Sequence, residues 1–212
     1  WFRDLYPDLD VDRATLLGFS FAGQAQLTSF GPLSVPLVSA GSVAEIVELL
    51  TYLPLITTAI NAQFRPNDQG LTVGLWGHTG DRALDCLAVT YTGSALLRLL
   101  DMLVSDALTV TLHLSWSAPV SLNKLAAEMV LAGRLFFDAP MSYLHVPVNA
   151  LNEVCRFSDP LAYRLAVAEL RRTLDEQSGA TSFSKKVRRL LDEDPGQRSC
   201  QRVADELSVS TS

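Results

Sequence analysis

"TLLGFSFAGQAQ", Thr15–Gln26, reads as a strand running into a sharp turn and a helix. Within it, Gly18-Phe19-Ser20-Phe21-Ala22 is one residue away from the G-x-S-x-G elbow that presents the nucleophile of an α/β-hydrolase. The fold class turns on this segment. A hydrolase sheet places strands before its elbow, whereas Ser20 lies close to the start of the chain. A triad also needs a late histidine, an acid to orient it and an oxyanion loop. His113 and His145 sit in strand-like runs, His78 lies on the turn "WGHTGD", and no Gly-rich loop precedes Ser20. The segment is therefore read as an elbow mimic with Ser20 on a strand, and the chain as no enzyme. A serine hydrolase using Ser20 is the less favoured alternative.

Outward from this segment, strand and helix patterns alternate. Ser42 with Glu45 forms a capping box ahead of Val43, Ile46, Val47, Leu50 and Leu53 at helical spacing. "ITTAINAQFRP" and "GLTVGLWG" flank the turn "NDQG" and read as a hairpin. "ALDCLAVTYT" reads as a third strand, followed by a helix over Gly93–Asp106. "LTVTLHLSW" alternates Val110, Leu112, Leu114 and Trp116 against Thr111, His113 and Ser115, a half-buried strand. A short helix over Asn123–Ala132, a strand "MSYLHVP" and a helical turn from Val148 follow. Hairpins between neighbouring strands favour an α+β fold, a mixed sheet with helices packed on it, over a doubly wound parallel sheet.

Ser158 is placed as the cap of a helix running to about Glu176, with Pro160 in its first turn. One apolar stripe on it is Leu161, Leu165 and Ala168, and the other is Tyr163, Val167, Leu170 and Leu174. Two stripes need two partners. The second is assigned to a two-fold dimer, because a bare apolar stripe is rare on a monomer. "QSGATS" is read as a break, with Gln177–Thr181 as linker and Ser182 or Ser184 capping the next helix.

Composition bounds the function. The 212 residues are 48% hydrophobic and 19% charged, enough for a sizeable core. No apolar run reaches the length of a membrane span, and Trp1 opens no basic-then-apolar leader, so a cytoplasmic protein without a membrane partner is expected. Cys86, Cys155 and Cys200 lie far apart and form no C-x-x-C pair, which favours buried reduced thiols over disulfides or zinc. The histidines lack a second ligand at i+3 or i+4, and no phosphate-binding glycine loop is present, so no metal or cofactor is expected. Net charge is −6, but residues 181–212 hold six basic against five acidic groups, and the rest of the chain is net −7. The basic character is concentrated at the end.

That end reads "VRRLLDEDPGQRSCQRVADELSVSTS", Val187–Ser212. Pro195-Gly196 closes one short helix, and Ser199 caps a second in which Cys200, Val203, Ala204 and Leu207 share a face. A small Ala at the centre of a helix, then Leu, a tight turn and a capping Ser make a helix-turn-helix. Val203, Ala204, Leu207, Val209 and Ser210 resemble the first helix-turn-helix of AraC/XylS-type bacterial transcription regulators. Ser208 and Cys200 depart from that family's usual residues. Upstream, "GSVAEIVELLTYLPLIT", "GSALLRLLDML", "LTVTLHLSW" and "FFDAPMSYLHVPVNALN" resemble the arabinose-binding-like sensing domain of the subgroup that includes ornithine-utilisation regulators.

The resemblance implies an effector-sensing domain over residues 1–157, a linker and dimerisation helix over 158–180, and an incomplete first helix-turn-helix over 181–212. It implies a small-molecule effector, operator DNA and a homodimer formed through the 159–176 helix. A second helix-turn-helix is expected beyond Ser212. Ser210, Thr211 and Ser212 begin the recognition helix, and Arg198 and Ser199 are the phosphate contacts. The resemblance assigns no effector-binding residue, and the aromatics Phe19, Phe21, Phe30, Trp76 and Trp116 are candidates to line a cavity. A stand-alone ligand-binding or dimerisation module is the remaining alternative.

Overall fold

Asp81 starts the helix around which the first part of the molecule is arranged. Its side chain accepts the backbone N–H groups of Ala83 and Leu84 at 2.9 and 3.2 Å, and Arg3 grips both of its carboxylate oxygens at 2.6 and 2.9 Å. Such a cap satisfies donors that the first turn leaves open. From it α5, Arg82–Leu103, runs unbroken for 22 residues. The strand expected at "ALDCLAVTYT" is therefore the first half of this helix. Its apolar residues face partners on several sides, so no helical period stands out, and Val89, Thr90 and Thr92 imitate a strand. Joined to its second half, α5 is long and apolar enough to cross a membrane by length and composition. However, 61% of its most apolar stretch is buried within the fold, as in a core helix.

The computed structural model describes residues 2–104, 109–122 and 124–193. The chain divides into two units, Trp1–Leu170 and Arg171–Ser212. In the first, α1 (Phe2–Leu5) leads to α2 (Val11–Gln24), which is capped by Asp10 accepting from the Arg13 N–H at 2.8 Å. α2 replaces the strand expected around Ser20. Ala14, Thr15, Gly18, Phe19 and Ala22 form its buried stripe, and that stripe packs on α5. The run of Leu, Gly, Phe and Ala has weak local preference, and burial at i, i+4 and i+8 decides for helix.

An arch follows: a 3-10 segment Leu27–Leu33, α3 (Ser34–Ser39), α4 (Val43–Glu48) and a 3-10 segment Leu49–Leu55. The capping box at α4 is present in altered form. Ser42 accepts the Glu45 N–H at 3.4 Å, and Glu45 reaches back to the N–H of Gly41, at 2.6 Å, rather than to that of Ser42.

β1 (Ile60–Asn67) and β2 (Gly70–Gly77) form the expected hairpin. With β3 (Thr111–His113), β4 (Leu135–Phe136) and β5 (Tyr143–Pro147) they make a five-stranded sheet in the order β1-β2-β5-β3-β4. Only the β3–β4 pair is parallel, so the sheet is mixed and the fold is α+β, as read. The alternation in "LTVTLHLSW" is as expected, with Val110, Leu112, Leu114 and Trp116 turned inward. Across the sheet Val73 and Leu112 both sit opposite Leu144. This face lies on α5, close enough that a Cβ at Gly93 would stand 2.6 Å from the Leu112 Cδ1. α6 (Lys124–Leu131) and α7 (Val148–Leu151) occupy the expected short helices.

α8 is a single helix, Pro160–Glu193. Asp159, not Ser158, is its cap, accepting the N–H groups of Leu161 and Ala162 at 3.0 Å each. The break expected at Gln177–Thr181 is helical, and Ser182 and Ser184 lie inside the helix rather than at a new start. One Gly and two Ser cost a long helix little when good helix formers flank them.

The two stripes exchange roles. Leu170 is buried and the Tyr163 hydroxyl donates to the Glu45 carbonyl at 3.3 Å, whereas Leu161 and Leu165 are 61% and 65% exposed. The stripe assigned to the dimer thus faces inward over Tyr163–Leu170, and the bare one is Leu161 and Leu165.

Candidate functional site

One face of α5 and the arch do not meet. Leu87, Tyr91, Ala95 and Leu99 recur every fourth residue on α5, with Ala88, Thr92 and Leu96 beside them. Facing them are Leu33, Leu37, Ile46, Leu49, Leu53 and Ile56 of the arch, and a cavity of about 270 Å³ lies between. The arch cannot close this space as a straight helix would. Gly31 turns the chain at φ 53°, and Pro32 and Pro54 sit inside the two 3-10 segments. Such short segments pack less regularly than α-helices.

The cavity is graded. Its floor is made by Leu33, Ile46 and Leu99, each no more than 2% exposed. Ser29 and Ile56 are exposed, and Phe30, Thr57, Tyr91 and Thr92 are half-buried. The Thr57 hydroxyl oxygen accepts the Ala59 N–H at 3.0 Å, which leaves its own proton available. Among the described residues no charged one lines the space. A concave apolar space with a few hydroxyls along it has the make-up of a small-molecule site.

A second, wider cleft of about 470 Å³ lies at the other side of α5, where Arg82, Asp85, Cys86 and Val89 face Trp76, Ser115, Trp116 and Met141. Asp85 is already engaged there, accepting the Thr79 N–H and hydroxyl at 2.9 and 2.6 Å.

The five aromatic candidates are dispersed. Phe30 lines the apolar cavity, and Trp76 and Trp116 line the cleft. Phe19 is wholly buried in α2, Phe21 is 38% exposed, and neither lines either space. Apart from Phe30, the arch residues were not read as lining a cavity, because each of its segments is short. The signal that locates the cavity is the four-residue recurrence from Leu87 to Leu99, hidden by the strand reading.

Ser20 lies in the middle of α2, where its hydroxyl donates to the Leu16 carbonyl at 2.9 Å, and no strand precedes it among the described residues. The strand–turn–helix geometry of an elbow is not formed. His113 and His145 occupy strand positions and His78 follows β2, as expected. Among the described residues no group of three His, Cys, Asp or Glu is arranged to hold a metal. Cys86 and Cys155 are free and buried, and burial pushes both thiols up to about 11, with Glu45 adding to the effect at Cys155. Such thiols stay protonated and unreactive at neutral pH. Cys200 and the expected DNA contacts Arg198, Ser199, Ser210, Thr211 and Ser212 lie outside the described residues.

No family model matches the chain, and no curated protein does. Among solved structures the fold is similar to that of the transcriptional regulator CdpR from Pseudomonas aeruginosa, with a TM-score of 0.58 at 17% identity. The match covers 93% of this chain and 65% of that one, so the chain spans just under two thirds of the regulator's length.

Proposed function

We propose that the chain is the effector-sensing part of a ligand-responsive bacterial transcription regulator of AraC/XylS type. It acts in the cytoplasm and binds operator DNA through a helix-turn-helix that begins in residues 181–212. The observation that carries this reading is the likeness of fold to a transcriptional regulator over 93% of the chain. The pattern Val203, Ala204, Leu207, Val209 and Ser210 supports it independently from the sequence. The cavity between α5 and the arch is the effector site in this reading. Residues 1–157 sense, 158–180 connect and dimerise, and the exposed Leu161 and Leu165 supply the dimer face. Two-fold pairing would set two DNA-binding domains on paired half-sites.

The test is selection of DNA from a random pool by the complete gene product. Enrichment of one sequence with paired half-sites is the expected result, and no enrichment leaves the stand-alone binding module in its place. In the same protein Arg198→Ala weakens binding to all sequences and lowers the salt slope by about one, as loss of a phosphate contact does. A loss confined to one base position contradicts that role.

A further inference from the structure

We propose that the cavity between α5 and the arch takes a neutral, mainly aliphatic or aromatic molecule with a single uncharged hydrogen-bonding group, and discriminates against charged ligands. This inference rests on the sensing reading above and names the chemistry of its effector. Three observations carry it. Among the described residues the lining contains no Asp, Glu, Lys, Arg or His, so a buried ammonium or carboxylate finds no counter-charge from them. The floor at Leu33, Ile46 and Leu99 is closed and apolar, which suits a hydrocarbon body. The hydroxyl-bearing residues Ser29, Thr57, Tyr91 and Thr92 are all exposed or half-buried, on the open side of the space, where one polar end of the ligand would sit.

Size sets a second limit. At about 270 Å³ the space lies at the small end of ligand pockets, which run from about 300 to 1,000 Å³, so the ligand is a small molecule. Polyamines, charged at both ends, are thereby excluded from this cavity, since one charge would have to enter it unpaired.

The experiment compares 1-octanol, octanoate and octylammonium, three probes of matched length that differ in head-group charge. Their binding to the 212-residue chain is read by calorimetric titration and by the unfolding midpoint. Saturable binding of 1-octanol is expected, with the two ions roughly tenfold weaker or worse. Ala95→Leu, which fills the buried end, abolishes the octanol response, and Ala88→Leu, at a half-buried position, does the same if the first variant does not fold. Octanoate or octylammonium binding as well as octanol overturns the proposal. So does no binding by any probe, or an octanol response kept in a folded variant. DNA selection by the complete protein separates the two readings. Operator selection without octanol binding removes only the ligand class, and octanol binding without operator selection removes only the regulatory role.

Discussion

Gly18 of α2 lies so close to Thr90 of α5 that a Cβ at position 18 would stand 2.7 Å from the Thr90 Cβ and 3.0 Å from the Leu87 carbonyl oxygen. The glycine of the elbow-like segment is thus a helix-crossing residue. Its absence of side chain lets two helices of the core meet.

Gly18→Ala is accordingly destabilising. The gain in helix propensity is about 1 kcal/mol, and overpacking against a backbone oxygen costs about 1–3 kcal/mol. Ser20→Ala, at an exposed position, stays within about 0.5 kcal/mol of wild type. Urea unfolding of both variants checks this, and a stabilised Gly18→Ala protein would refute the crossing. A fluorophosphonate should leave Ser20 unlabelled, whereas labelling lost in Ser20→Ala would restore the hydrolase.

This segment also shows what the sequence conveys and what it hides. The β1–β2 hairpin and the alternation around Leu112 were readable because one face of each strand meets the core and the other does not. α2 and the first half of α5 were misread because both are buried on broad faces, where hydrophobicity loses its period and Gly, Thr and Val mislead. The two stripes of α8 were legible, but their assignment was not. Which stripe is covered depends on the arch around Glu45, a contact 118 residues away in sequence. The cavity was invisible for the same reason: it is a failure of two distant elements to close.

A pH effect follows from the sheet. The His113 ring is stacked between Phe136, at 4.7 Å, and Tyr143, at 4.3 Å. Burial, and then the nearby His145, hold its pKa below the ordinary 6.5. The unfolded chain therefore takes up the proton first as pH falls, so stability declines from about pH 6.5 down to the folded pKa and is unaffected above. Comparing His113→Gln with wild type isolates this group. The two urea-midpoint profiles should diverge in slope only below about pH 6.5, and parallel profiles throughout would contradict the assignment.

The exposed stripe of α8 makes a prediction about assembly. Sedimentation should show a dimer at micromolar concentration, and the double variant Leu161→Asp with Leu165→Asp should be monomeric and folded. Leu170→Asp instead loses about 3 kcal/mol or more of stability, because it places a charge at a residue 4% exposed. A dimer that survives the double variant, or a wild-type chain that is monomeric, removes this face as the interface.

The most direct test of a sensing role is the coupling between the cavity and DNA. It is read as the operator affinity of the complete protein, wild type against the cavity-filled Ala95→Leu, once selection has supplied the operator. If the cavity controls DNA binding, filling it fixes one state and shifts the affinity by about fivefold or more in either direction. Equal affinities, in a variant that folds and dimerises as wild type does, would contradict the account.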